Sequence, residues 1–306
     1  MISFSELITT FTNNLLPILL ISVAGYFLGK LLNIDSRSVG RISFYFFNPI
    51  LIFNLLVHSE LPFGEIAKTG TLVMAVTLIS GMLALAGGLL LKLKRTQMVS
   101  TLITSMFANN GNYGLPLITF AFGSAALAHT SIYLVFSSLL TNTLGVLIAS
   151  LGHVDLKQAF IGMFRVPTLY AVLLAGLINY FHLTLPDSVD RTTTLIAGAA
   201  VPLMIFLLGL ELRHVRWTES ISALGLATSI RLLGGPFMGL VLTSALGLTG
   251  PGRQSGIMEA SMSAAVANTN LAAEYNLDNS LVAATVLVST VLSPFTLTPL
   301  IVFLGK

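Results

Sequence analysis

The sequence predicts an all-α polytopic membrane protein with ten transmembrane helices in two inverted five-helix repeats, the fourth and ninth helices being broken where they cross. Three observations carry that expectation: a composition too poor in charge for a water-facing surface, a succession of apolar runs of spanning length, and a motif that recurs half a chain later.

Of 306 residues, 55% are apolar and 9% charged, and the mean hydropathy is +0.90. Soluble domains carry roughly 25% charged residues, so most of this surface must meet lipid. At roughly 20 apolar residues per span, the chain has room for about ten helices and none for a large soluble domain beside them. The absence of cysteine excludes disulfides, thiolate metal sites and cysteine nucleophiles. Met1 to Asn14 carries no basic cluster ahead of its first apolar run, so the first helix is expected to belong to the mature fold rather than to a cleaved leader.

The apolar runs fall at 13–31, 38–57, 66–91, 98–126, 130–151, 166–182, 192–211, 220–247, 254–275 and 280–304. Short connections make neighbours antiparallel, and Ala86-Gly87-Gly88 and Gly234-Gly235-Pro236 offer places for close backbone approach. Basic residues prefer cytoplasmic loops. With the amino terminus outside, Lys30, Arg37, Arg41, Lys92, Lys94, Arg95, Lys157, Arg165, Arg213 and Arg216 share the inner side, against Lys68, Arg191, Arg253 and Lys306. That imbalance predicts both termini on the non-cytoplasmic side of the cell membrane. Pro49-Ile50-Leu51-Ile52-Phe53 in the second run aligns with Pro202-Leu203-Met204-Ile205-Phe206 in the seventh. Five spans per half would invert the second copy, giving repeats at 1–152 and 153–306, an arrangement found among secondary transporters.

The fourth run contains Ala108-Asn109-Asn110-Gly111-Asn112-Tyr113-Gly114-Leu115-Pro116, which suits no continuous lipid-facing helix. It predicts two half-helices joined by an unwound crossing, tolerated at membrane depth only inside protein or beside a wet cavity. Unwinding leaves peptide groups for a ligand, and the half-helix beginning near Leu115 aims its positive end at an anion. Asn112, Asn110, Gly114 and Pro116 are therefore candidate substrate contacts. The competing reading has the asparagines only capping half-helices and bonding neighbouring spans.

In the ninth run, Gly256 to Asn270 again replaces bulky residues with small and hydroxyl ones. Glu259 is the one carboxylate expected well inside the membrane, a functional position by default. With Ser261, Ser263 and Asn109 it is the candidate ion-coupling set, holding sodium or taking up a proton; alternatively it reaches the outer interface. Asn268 joins the substrate candidates. Arg231, deep in the eighth run, supplies an electrostatic attraction for an anion, pairs with Glu259, or snorkels. Asn48 and Asn54 flank the kinking Pro49, and Asn142 in the fifth run is placed on the same cavity. His58, His129, His153, His182 and His214 all fall near span ends and read as interfacial; no pair has metal-ligand spacing.

These residues bring the chain close to a known family. Asn112-Tyr113-Gly114-Leu115-Pro116-Leu117, Asn48-Pro49 and Ala272-Ala273-Glu274-Tyr275 resemble motifs of the auxin efflux carrier family, whose bacterial members include malate and malonate permeases. The resemblance spans essentially the whole chain. It implies a scaffold and a moving bundle, a homodimer, elevator-type transport of organic acids, and substrate contacts at Asn112 and Pro116. Met262 is followed by Ser263 where the family has proline, and the plant members' Lys in the second span, Asp in the third and long central loop are absent, which points to a bacterial-type carrier. Glu259-Ala260-Ser261-Met262-Ser263 is similar to the ninth-helix sodium site of bacterial bile-acid symporters, with Ser263 in place of a Gln.

The expected function is secondary active transport of a small organic anion, a malate- or malonate-like carboxylate or an auxin-like acid, coupled to sodium or protons. The alternative is a sodium-coupled symporter of bile-acid-like amphipathic anions. An intramembrane enzyme is the rival of another class, but no span carries an Asp and no Gly-x-Ser-x-Gly or His-Glu-x-x-His pattern occurs. The expected partners are the anion, the bilayer and a second copy of the chain, with no nucleic acid and no cofactor beyond the coupling ion.

Overall fold

A computed structural model describes residues 3–59, 61–150, 161, 164–213 and 217–305. His153, Lys157, His214, Arg216, Lys306 and the expected boundary between the two halves lie outside the described residues. Within them the chain is helical, with one isolated antiparallel bridge, Ala108 to Ala264. The protein is a polytopic membrane protein: among the described residues seven helices are long and apolar enough to cross a bilayer.

In chain order the described helices are α1 (Phe4–Leu31), α2 (Ser36–Val57), α3 (Phe63–Leu90), α4 (Arg95–Met106), α5 (Asn110–Ala149), α6 (Pro167–Tyr180), α7 (Asp187–Leu212), α8 (Ile221–Ala245), α9 (Gly250–Ala260), α10 (Ala267–Glu274) and α11 (Asn279–Leu304), the seven being α1, α2, α3, α5, α7, α8 and α11. Their starts follow local chemistry. Ser3 and Glu6 form a capping box on α1, satisfying amides that a helix end leaves open. Asp35 caps α2 through the amides of Arg37 and Ser38, and its bond from the Ser38 hydroxyl, with those amides, holds its carboxyl below the ordinary value. Large apolar side chains such as Phe27, Leu90, Tyr180, Leu195 and Phe295 lie exposed on the outer surface, as lipid contact requires.

Helix α5 corrects the expected connection near residues 127–129. Its 40 residues would run about 60 Å as one rod, twice the hydrocarbon thickness. Gly123 adopts φ 74°, ψ −164°, a conformation open to glycine, and the chain folds back there. The Ser137 hydroxyl then meets the Asn110 side chain at 2.9 Å, so the two arms lie side by side. His129 consequently sits inside the second arm. It is 8% exposed, and its Nε2 lies 2.5 Å from the carboxylate of Glu65 in the first turn of α3.

Small residues set the closest approaches. Gly209 of α7 lies against the Ser22 backbone of α1, Gly25 of α1 lies against the Phe206 backbone, and the Ser22 hydroxyl donates to the Ile205 carbonyl at 3.2 Å. Gly235 of α8 packs on the Ala260 carbonyl, whereas Gly87 and Gly88 meet the side chains of Leu226 and Met98. Helices α1, α2, α6 and α7 thus form one packed group. Helices α3, α4, α5, α8, α9 and α11 pack among themselves in the same way, and a shared apolar core joins the two sets, setting Leu15, Ile18, Ile205 and Leu208 of α1 and α7 against Tyr113, Ile257 and Val286.

Candidate functional site

Two unwound segments meet between the groups of half-helices. Phe107 leaves α4 in extended conformation, and α5 begins at Asn110 with a wide turn over Asn110–Gly114. The break is therefore narrower than the sequence predicts: Asn112, Gly114 and Pro116 stand on the first turns of a helix, and only 107–109 are unwound. The second break lies between Ala260 and Ala267. Its partner is the first. The Asn109 amide donates to the Ser263 carbonyl at 2.8 Å, and the Ala265 amide to the Phe107 carbonyl at 3.0 Å. Peptide groups expected to await a ligand are thereby largely paired across the crossing, because hydrocarbon-depth backbone must be satisfied internally.

Side chains complete the junction. Asn268 is fully buried and donates to the Phe107 carbonyl at 3.0 Å. Ser289 accepts the Ala264 amide at 3.1 Å, Thr290 donates to the Ser263 hydroxyl at 3.0 Å, and Ser293 meets the Tyr113 hydroxyl at 2.9 Å. Ser261 spends its hydroxyl on the Ile257 carbonyl of its own helix. These α11 residues were missed from sequence, although Thr285, Ser289 and Ser293 recur every fourth position, which puts them on one helix face.

Glu259 is fully buried. Asn110 donates to its carboxylate and to its backbone carbonyl, so Asn110 is tied to the candidate ion residue rather than left open to the cavity. The carboxylate rests against Gly114, where an added Cβ would stand 2.6 Å from Oε1, so only glycine leaves it room. Among the described residues Glu259 Oε1, Asn268 Oδ1 and Asn109 Nδ2 have no hydrogen-bond partner. Buried polar atoms are rarely left so, and their concentration here marks unused binding capacity.

Arg231 is 1% exposed and makes no ion pair with Glu259 among the described residues. Its guanidinium instead donates to the carbonyls of Ser105 at 2.9 Å, Ala260 at 2.7 Å and Met262 at 3.1 Å. It thus closes the negative carboxyl ends of α4 and α9 together.

Asn112 is only partly buried, and its Nδ2 lies 3.3 Å from the Glu211 carboxylate in the last turn of α7. Sequence reading placed Glu211 at a span end and missed it; its flanking Leu210 and Leu212 were the available signal. The remaining candidates are dispersed. Asn54 bonds Thr194 at 3.0 Å near the start of α7, about 26 Å along that helix from Glu211. Asn48 accepts from Ser43 at 3.1 Å, and Asn142 donates to the Ser138 carbonyl at 2.8 Å, one turn from Gly145, which packs against Phe107. A groove of about 500 Å³ between α1, α2 and α7 is lined by apolar side chains such as Ile21, Phe47 and Leu203 and shares no residue with the crossing.

The model of the family described as membrane transport protein, that of the auxin efflux carriers, matches residues 10–158 and 152–301. The chain belongs to that family. A transporter of Methanothermobacter thermautotrophicus, described as uncharacterized, is 27% identical over 287 residues, covering 92% of this chain and 94% of that protein. A second uncharacterized transporter, from Methanocaldococcus jannaschii, is 25% identical over 291 residues, covering 91% and 94%. The family is one of membrane transport proteins, and both relatives are described as transporters.

Proposed function

We propose that the protein is a secondary active transporter that carries a small organic anion through the crossing by elevator-type alternating access. The carrying observation is that two unwound segments from opposite halves of the chain pair with each other beside Asn112, with Glu259 Oε1, Asn268 Oδ1 and Asn109 Nδ2 left unpartnered. Asn112 and Pro116 stand where the first arm of α5 presents its positive end, which suits a carboxylate.

In this reading there are ten crossings in two inverted sets of five, from 1–152 and 153–306. What supports the count is the reversal at Gly123, which divides α5, together with α4 joined to the first arm and α9 joined to α10 as two interrupted spans. The packed group of α1, α2, α6 and α7 serves as scaffold, and the group bearing the crossing moves. Glu259, with Ser261, Ser263 and Asn109, binds the coupling ion, sodium or a proton. The protein sits in the cell membrane with both termini outside, as a homodimer.

Uptake of radiolabelled malate, malonate and indole-3-acetate into proteoliposomes tests this, with sodium and pH gradients varied separately. Losing the Asn112 amide removes a charge-assisted hydrogen bond of about 1.5–3 kcal/mol, roughly ten- to hundredfold in affinity. Asn112→Ala is therefore expected to insert normally and to transport at least tenfold less at low substrate. Full transport by that variant removes Asn112 from the site, and sodium-dependent uptake of bile acids in place of these anions refutes the small-anion reading.

A further inference from the structure

We propose that Glu211 belongs to the substrate site, and that an anion binds at Asn112 together with proton uptake by Glu211. The inference rests on reading Asn112 as the seat of an anionic substrate.

Glu211 lies in the last turn of α7, and among the described residues Asn112 is the one group hydrogen-bonded to its carboxylate, at 3.3 Å. The two residues lie on packed neighbouring segments that are fastened to different partners. Helix α7 is fastened to α1 through Gly209, Gly25 and Ser22, whereas Asn112 is carried by the turn whose Asn110 is fastened to Glu259. The contact is therefore a polar link across the boundary that the proposed motion must cross.

Its chemistry conflicts with an anion. A substrate carboxylate accepting from Asn112 Nδ2 would meet a second carboxylate already accepting from the same nitrogen, and two carboxylates sharing one site do not both stay ionised. Among the described residues no cation relieves this. Arg231 is spent on three carbonyls, and Arg213 donates to the carbonyls of Gly29 and Ile34. On the helices packed against this end of α7, the titratable and charged groups are Tyr26 and Lys30 of α1 and Asp35, Arg37, Arg41 and Tyr45 at and within α2; none hydrogen-bonds Glu211. Tyr113, on the crossing itself, bonds Ser293.

The balanced step is simple. A proton from water adds to a Glu211 oxygen, forming an O–H bond and cancelling one negative charge. The Asn112 amide then donates to the substrate carboxylate, and the new Glu211 hydroxyl can donate to its second oxygen. On release the anion departs, the proton returns to water, and the Glu211 carboxylate again accepts from Asn112. One proton and one anion bind as a pair, and each raises the affinity for the other.

Calorimetric titration of the purified full chain with malate, between about pH 6 and 9 in buffers of different ionisation enthalpy, reads this directly. The wild type is expected to take up one proton per anion and to lose affinity by about tenfold per pH unit above the Glu211 midpoint. Glu211→Gln keeps the shape and the acceptor but cannot ionise; it is expected to bind malate with a flat profile and no proton uptake. Glu211→Asp, which withdraws the carboxyl by one methylene, is expected to move the midpoint. An unchanged pH profile in both variants overturns the proposal while leaving Asn112 as the seat. If malate binds neither wild type nor variants, the anion reading fails instead, and infrared titration of the protein alone still decides the proton. A protonated-carboxyl band that disappears in Glu211→Gln supports proton binding at Glu211, and no difference between the two proteins overturns it.

Discussion

Arg231→Ala is expected to loosen the crossing, and the size of the effect follows from what the guanidinium holds. It makes three bonds to backbone carbonyls, of Ser105, Ala260 and Met262, from a side chain that is 1% exposed. Hydrogen bonds from charged groups contribute roughly 1.5–3 kcal/mol each, but their sum overstates the loss, since freed carbonyls relax and water can enter. A buried acceptor left unpaired costs about 1–3 kcal/mol, so over three carbonyls that partly relax a net loss of about 4 kcal/mol is expected. At roughly 2–4 °C per kcal/mol for large domains, the midpoint of heat-induced loss of the monodisperse peak in detergent should fall by about 10 °C. Arg231→Lys keeps the charge but presents one ammonium in place of a planar fork, so about half that loss is expected. The failure should be local to the junction, with faster amide exchange at Asn109 and Ala265, whose amides pair across it. An Arg231→Ala protein within about 1 °C of wild type, where the expected loss requires several times more, would refute the idea that this side chain closes the two helix ends.

Two further outcomes separate packing from chemistry. Gly209→Ala places a methyl on the Ser22 carbonyl, and because backbone cannot swing aside, a loss of about 1–3 kcal/mol is expected in the same thermal assay; Gly176→Ala, with nothing within 4 Å of its added Cβ, should cost nothing. Glu259→Gln should change the sodium or pH dependence of proteoliposome uptake, and an unaltered dependence on both would return Glu259 to a purely structural role.

Membrane character and the position of the breaks were legible in the sequence because lipid forbids charge and unpaired backbone, and the composition records both prohibitions directly. Clustered Asn, Gly and Pro at 108–116 announce an interruption in a helix. Their partners were less visible. A break satisfied by another break needs no special residue at the bonding atoms, so nothing in Phe107 or Ala265 advertises the bonds they share. Gly123 was passed over because a single glycine in an apolar run is ordinary, and only its positive φ makes it the reversal point. The contacts of Glu211 and His129 were hidden for a related reason: their partners, Asn112 and Glu65, lie on other helices far away in sequence, where no local pattern records them. Arg231 was recognised as anomalous, yet its targets are carbonyl oxygens, which every residue carries and no sequence motif records.

The mutual pairing of residues 107–109 with 263–265 also constrains how the protein is made. When the amino-terminal half enters the bilayer, the acceptor on Phe107 and the donor on Asn109 have no permanent counterpart, because the atoms that will engage them have not yet been synthesised. The newborn segment must keep these groups wet or shielded until the later half is inserted. Maturation is thus a joining of two unfinished pieces, and a chain truncated before α9 would carry an open seam in the place where lipid tolerates it least.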